Sequence, residues 1–196
     1  MRANITHCLT ISLLCFSFSL ANAQDRATKN ISAVYAQGKV NGSEYVNEYF
    51  GIILSSVGGT FTQGGFVSAS GTRTRLIDVQ NNAGSWQDKF SIAVLADSLS
   101  ANPLIRAPEQ YVRAVRHQFQ KQGMITVTTE STTQISGLSF VHAILKVNET
   151  AGTHYQGIYT TFLKGYILSL DVSAATPEKV DQLVTKAVRF KTHDEQ

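Results

Sequence analysis

Apolar positions in this chain recur with two different periods. From Pro108 to Gln122 the spacing is helical. Tyr111, Val112, Val115 and Phe119 fall within one arc of about 100°, while Arg113, Arg116, His117 and Gln120 point the other way. Pro108 suits the first helical turn, Glu109 the positive end of the helix dipole, and Gly123 a left-handed stop. A second helix is predicted to open at Thr176-Pro177-Glu178, with Thr176 as its N-cap. Its apolar stripe is Val180, Leu183, Val184, Ala187 and Val188, spanning about 140°.

The rest of the chain reads in strands. Tyr45 to Leu54 is rich in aromatic and β-branched residues and is predicted as one strand, ended by Gly58-Gly59. Phe61 to Ser70 and Arg75 to Gln80 are shorter candidates, followed by a turn from Asn81 to Asp88. Phe90 to Ala96 is the clearest central strand, with Phe90, Ile92, Val94 and Ala96 on one face and Ala93 and Leu95 on the other. After the first helix come four more strands. They are Met124 to Thr129, with Ile125 and Val127 inward, then Leu138 to Val147, Tyr155 to Leu163 and Tyr166 to Val172. Short turns join them at Ser136-Gly137, Asn148 to Gly152 and Lys164-Gly165. The order of elements predicts an α+β fold, a central antiparallel β-sheet with helices packed on its faces.

The N-terminal pattern changes the compartment. Arg2, the apolar run Cys8 to Leu20 and Ala21-Asn22-Ala23 match a secretory signal peptide over residues 1–23, cleaved after Ala23. Export to the periplasm or beyond is the expectation. Both cysteines, Cys8 and Cys15, lie in that segment, so the mature domain is predicted to be cysteine-free. Residues 24–42 read as a polar arm, 43–191 as a single α+β domain and 192–196 as a polar tail. No apolar run downstream is long enough for a membrane span.

Charge excludes more than it suggests. A formal net charge of +3 is too balanced for a nucleic-acid or membrane-surface protein. The basic clusters Arg73 with Arg75 and Arg113 with Arg116 are expected on solvated faces.

Candidate chemistry is sparse. His142 and His154 flank the Asn148 to Gly152 turn, with Glu149 as a third potential zinc or copper ligand. If the loop centres near Thr150 or Ala151, facing positions sum to about 300, which sets His142 opposite Ile158 and His154 near Lys146. The imidazoles are then some 13 Å apart along the ladder, too far for one ion. No zinc site is expected there. Serine and histidine are present, but no G-x-S-x-G nucleophile elbow occurs, and the glycine pairs at 58–59 and 64–65 form no phosphate-binding loop. Glu44, Glu48, Asp97 and Glu130 offer carboxylates without a pattern. Tyr45, Tyr49, Phe50, Phe61, Phe66 and Trp86 gather in the first third, and the reading favoured for most of them is core filling rather than a ligand site. No catalytic residue, cofactor site or metal site is assigned from the residues.

Three segments carry a family resemblance. Tyr45-Val-Asn-Glu-Tyr-Phe-Gly51 resembles the opening of the first sheet strand in the PsbP-like superfamily. The helix at 108–122 followed by a strand is the second segment. The third is Gly165-Tyr166-Ile167-Leu168-Ser169-Leu170, then the helix from Pro177 and Arg189-Phe190. Gly58-Gly59-Thr60-Phe61 stands where that superfamily usually has Pro-x-x-Trp. The superfamily includes photosystem accessory proteins, a nuclear Ran-binding protein and many exported bacterial proteins of unassigned role. The resemblance implies an α/β/α sandwich and a non-enzymatic accessory or binding protein, with a protein or small molecule as its unknown partner. Neither photosystem association nor Ran binding carries over, because no functional residue of those members is matched. The alternative is an exported hydrolase whose active-site residues are dispersed along the chain.

Overall fold

The computed structural model describes residue 34 and residues 37–66, 73–149 and 152–191. The signal-peptide segment and the polar tail lie outside them. Twelve strands and two α-helices follow one another along the described chain. The strands are β1 (Gly38–Asn41), β2 (Glu44–Asn47), β3 (Ile52–Ser55), β4 (Thr60–Phe66), β5 (Arg73–Asn81) and β6 (Phe90–Ser98), and then, beyond α1 (Pro108–Lys121), β7 (Ile125–Thr126). The chain continues with β8 (Ser131–Ile135), β9 (Leu138–Glu149), β10 (Gly152–Leu163), β11 (Tyr166–Ala174), α2 (Pro177–Ala187) and β12 (Val188–Phe190).

The strands form two sheets, and every pairing is antiparallel. The larger runs β4-β5-β6-β11-β10-β9, with β7 and β8 sharing the outer edge of β9; the smaller runs β1-β2-β3-β12. The fold is therefore sheet-dominated α+β. Alternation sends the two sides of the large sheet to different neighbours. Tyr111, Val115 and Phe119 of α1 bury against Leu145, Ile158 and Ile167 on one face. Val180, Leu183, Val184 and Ala187 of α2 pack with Ile144, Tyr159, Leu168 and Leu170 on the other, where Ile52, Leu54, Val188 and Phe190 of the small sheet join them. Both predicted helical stripes are the buried ones. Thr176 caps α2, its hydroxyl accepting from the Lys179 amide at 3.2 Å. No helix among the described residues is long and apolar enough to cross a membrane.

Four strand readings need correction. Tyr45 to Leu54 is a hairpin rather than one strand, because Asn47 ends β2. Its Oδ1 accepts from the Phe50 amide at 3.2 Å, and Gly51 turns the chain at φ 68°. Ile125 and Val127 point outward, 53% and 44% exposed, because β7 covers only two residues at the sheet edge. β8 has no strand pattern in its residues: Ser131 to Gln134 are polar, and the strand is held by pairing with β9 rather than by burial. The β9–β10 hairpin pairs positions summing to 301, so His142 stands opposite Tyr159, not Ile158.

Candidate functional site

Register assembles the site. Ser131 of β8, His142 of β9 and Tyr159 of β10 are direct cross-strand partners in one row and so share one face. Across β11 and β6 the same row continues as Leu170 and Val94, both fully buried. The row thus changes from apolar to polar as it reaches the open edge.

The His142 ring stacks on Tyr159, centroids 4.9 Å apart and planes within 6°. Tyr159 is 1% exposed, and its hydroxyl donates to Asp181 Oδ1 on α2 at 2.5 Å. The helix lies close enough for this because β10 carries Gly157 beneath it. A Cβ at that position would overlap Val180 Cγ1 and come within 2.9 Å of Tyr159 Cε2. A cleft of about 270 Å³ opens between β8 and α2, lined by His142, Tyr159 and Asp181, with Thr132, Gln134 and Thr185 among the polar groups around them.

The electrostatics follow from partial burial. Desolvation pushes the Tyr159 phenol far above its ordinary pKa, and the adjacent Asp181 carboxylate adds to the shift, so the hydroxyl stays a donor. Desolvation lowers the His142 pKa, against the opposing pull of Asp181 and of the contact with Ser131. Burial thus favours the neutral imidazole. Ser131 Oγ lies 3.3 Å from His142 Nε2, and Nδ1 is buried without a hydrogen-bond partner among the described residues.

A lowered histidine pKa fixes the sign of a pH effect. The folded chain takes up this proton less readily than the unfolded one. Stability present above about pH 6.5 is therefore lost as the pH falls toward the depressed native value. Urea midpoints of the wild type should drop more steeply from about pH 7.5 to about pH 5.5 than those of His142→Gln. Equal slopes in the two proteins would rule out this linkage.

The other candidates separate. His154 pairs with Val147, five positions along β9 from His142 and on the opposite face, since five is an odd number of alternations. The two histidines do not converge, and no group of three or more histidine, cysteine or acidic residues is placed to hold a metal among the described residues. The Glu149 side chain lies outside what the structure describes. The four carboxylates are all tied to basic partners: Glu44 to Arg189 at 2.8 Å, Glu48 to Lys191 at 2.6 Å, Glu130 to Arg116 at 3.2 Å and Asp97 to Arg73 at 3.3 Å. Tyr45 and Phe50 are core residues. Tyr49 packs on Phe50 and Tyr166 at centroid distances of 5.0 and 5.7 Å, and Trp86 Nε1 donates to the Thr153 carbonyl at 3.1 Å. The Phe66 side chain is outside the described set.

The arginine clusters need a further correction. Only Arg113 is well exposed, at 66%; the Arg73 side chain is 13% exposed and lies in a charged layer on the α1 side of the large sheet. A β-bulge builds that layer. Arg75 pairs with Leu95 but Ile77 pairs with Val94, so Leu76 is the extra residue. The bulge brings Asp78 to the same face as Arg75, three positions away, where they pair at 3.0 Å. Beside them Asp97 accepts from Tyr111 of α1 at 2.6 Å, and Gln156 donates to Asp171 at 2.5 Å. Burial raises the Asp97 and Asp78 pKa values even against their arginine neighbours. Each of these carboxylates is satisfied within the protein, which makes the layer a structural one.

No protein-family model and no curated protein matches the chain. Among solved structures it is similar to a crystal structure from Bacteroides thetaiotaomicron VPI-5482, at 9% identity and a TM-score of 0.39, over 80% of this chain and 51% of that one. The chain spans about half the length of that protein.

Proposed function

We propose that this is an exported binding protein that holds a small ligand in the cleft between β8 and α2. One observation carries the reading: the cleft is built where the stacked His142–Tyr159 pair meets Asp181, and among the described residues these side chains make no ion pair with a basic residue. The other candidate carboxylates, Glu44, Glu48, Asp97 and Glu130, are each paired with a basic residue. At about 270 Å³ the space lies just under the range that accommodates drug-sized molecules, so a metabolite of modest size is the fitting occupant. The secretory pattern of residues 1–23 supports export, and the arrangement of α1 and α2 on opposite faces of the large sheet is compatible with a PsbP-like sandwich.

The rival is a hydrolase, and the contact of Ser131 with His142 bears on it. A serine nucleophile needs a base whose second nitrogen is held by an orienting group. His142 Nδ1 has none among the described residues, and Asp181 is bonded to Tyr159 instead. That geometry favours binding over catalysis.

The test is a small-molecule screen on the full chain by ligand-observed NMR, repeated with Thr185→Trp, whose indole would fill the cleft from an exposed position on α2. Hits abolished by Thr185→Trp are the expected result. A screen with no such hit, or labelling of Ser131 by a fluorophosphonate, would overturn the proposal. Export is checked separately by intact-mass analysis, with Gln24 expected as the first residue.

A further inference from the structure

We infer that the ligand of this cleft is a small organic cation, an alkylammonium or alkylguanidinium group that pairs with Asp181. The inference rests on the binding reading above and narrows it to a chemical class. Asp181 is the only charged residue lining the cleft among the described residues, and no lysine or arginine lines it. A ligand carrying a carboxylate or phosphate would therefore meet one negative charge and no positive one.

The Asp181 carboxylate is also only half used. A carboxylate accepts about four hydrogen bonds through its two oxygens. Its Oδ1 takes the Tyr159 hydroxyl, and no other side-chain bond to Asp181 exists among the described residues. The Tyr159 bond fixes the carboxylate in place before any ligand arrives, which reduces the ordering cost of binding. Oδ2 remains for an incoming N–H donor.

The surroundings suit the rest of such a molecule. Thr133, which shares the face of β8 that carries Ser131, brings a hydroxyl that can accept from a remaining N–H group of an ammonium or guanidinium. Ile135, Val184 and Val188 supply the apolar wall that an alkyl stem needs. Desolvation favours the neutral form of His142, which then adds no competing cation.

The experiment titrates the full chain with n-butylammonium and n-butylguanidinium, using butyrate and n-butanol as the anionic and neutral probes of matching length. Binding is read from the nuclear magnetic resonances of His142 and Thr185. The cations are expected to give saturable shifts there that weaken with salt, while butyrate gives none. Asp181→Asn should weaken the cations about tenfold, the size of one charge-assisted hydrogen bond, and Asp181→Glu should recover part of the loss. Asparagine keeps an oxygen for Tyr159, so the fold is retained. Equal binding of butanol and butylammonium, or affinity unchanged in Asp181→Asn, would overturn the cation assignment and leave the cleft reading intact. Hits in the wider screen that Thr185→Trp does not displace would overturn both.

Discussion

Asp97→Ala should cost about 3–5 kcal/mol, measured by urea denaturation, although Asp97 lies far from the cleft. Its side chain is 9% exposed, paired with Arg73 at 3.3 Å and accepting from Tyr111 at 2.6 Å. Truncation takes the Asp97 carboxylate from a mostly buried guanidinium, which keeps its electrostatic contact with Asp171, and removes the Asp97 acceptor from a buried phenol. Removing one partner of such a pair is far worse than removing both, because the remaining charge still bears its desolvation cost. The triple substitution Arg73→Met, Asp97→Leu, Tyr111→Phe should therefore recover most of the loss. Asp97→Asn keeps an acceptor for Tyr111 and should cost less than alanine. A cost under about 1 kcal/mol for Asp97→Ala, the level of an exposed pair, would show that the buried pair does not behave in this way.

This layer shows where sequence reasoning stopped. Arg73 and Arg75 read as a solvated cluster because alternation alone cannot show what covers a face. Asp78 stands three residues from Arg75, a spacing that in a regular strand puts side chains on opposite faces. Only the bulge at Leu76 brings them together, and a bulge has no signature in residue types at this position. The helices were readable for the opposite reason. Each carries its own stripe and its own terminal residues, so local periodicity and capping point the same way. The β2–β3 hairpin was readable in principle, through Asn47 and Gly51, but apolar residues on both sides of the turn masked it.

The site was half visible. His142 stood out as a titratable residue on a strand, yet its partner was misassigned by one position of register. A one-residue slip moves a side chain to the other face, so an expected neighbour Ile158 became Tyr159 and the whole environment changed. Ser131 was hidden in a polar edge strand, and Asp181 was one more acid on the outer side of a helix. What joins Asp181 to Tyr159 is the depth at which α2 docks, a tertiary quantity set by the absence of a side chain at Gly157.

That dependence makes Gly157→Val the substitution that should damage fold and cleft together, at a cost of about 3 kcal/mol or more. Even the Cβ alone would overlap Val180 Cγ1 and sit 2.9 Å from Tyr159 Cε2, and valine adds two methyl groups in a strand that is paired on both sides. Val180 is fully buried and has no open space to move into. The strand cannot yield without breaking its pairs to β9 and β11, so α2 must lift. Asp181 moves with the helix, and its 2.5 Å hydrogen bond from Tyr159 is the first polar interaction to break. The expected signature is a lowered urea midpoint together with changed His142 and Tyr159 ring resonances in the protein that remains folded. Val180→Ala in the same chain should restore part of both, since it removes the atom that the new side chain strikes. Residues that touch couple in this way, so the double substitution should cost less than the two single costs together. A Gly157→Val protein with unchanged midpoint and unchanged His142 resonances would show that helix depth is set elsewhere.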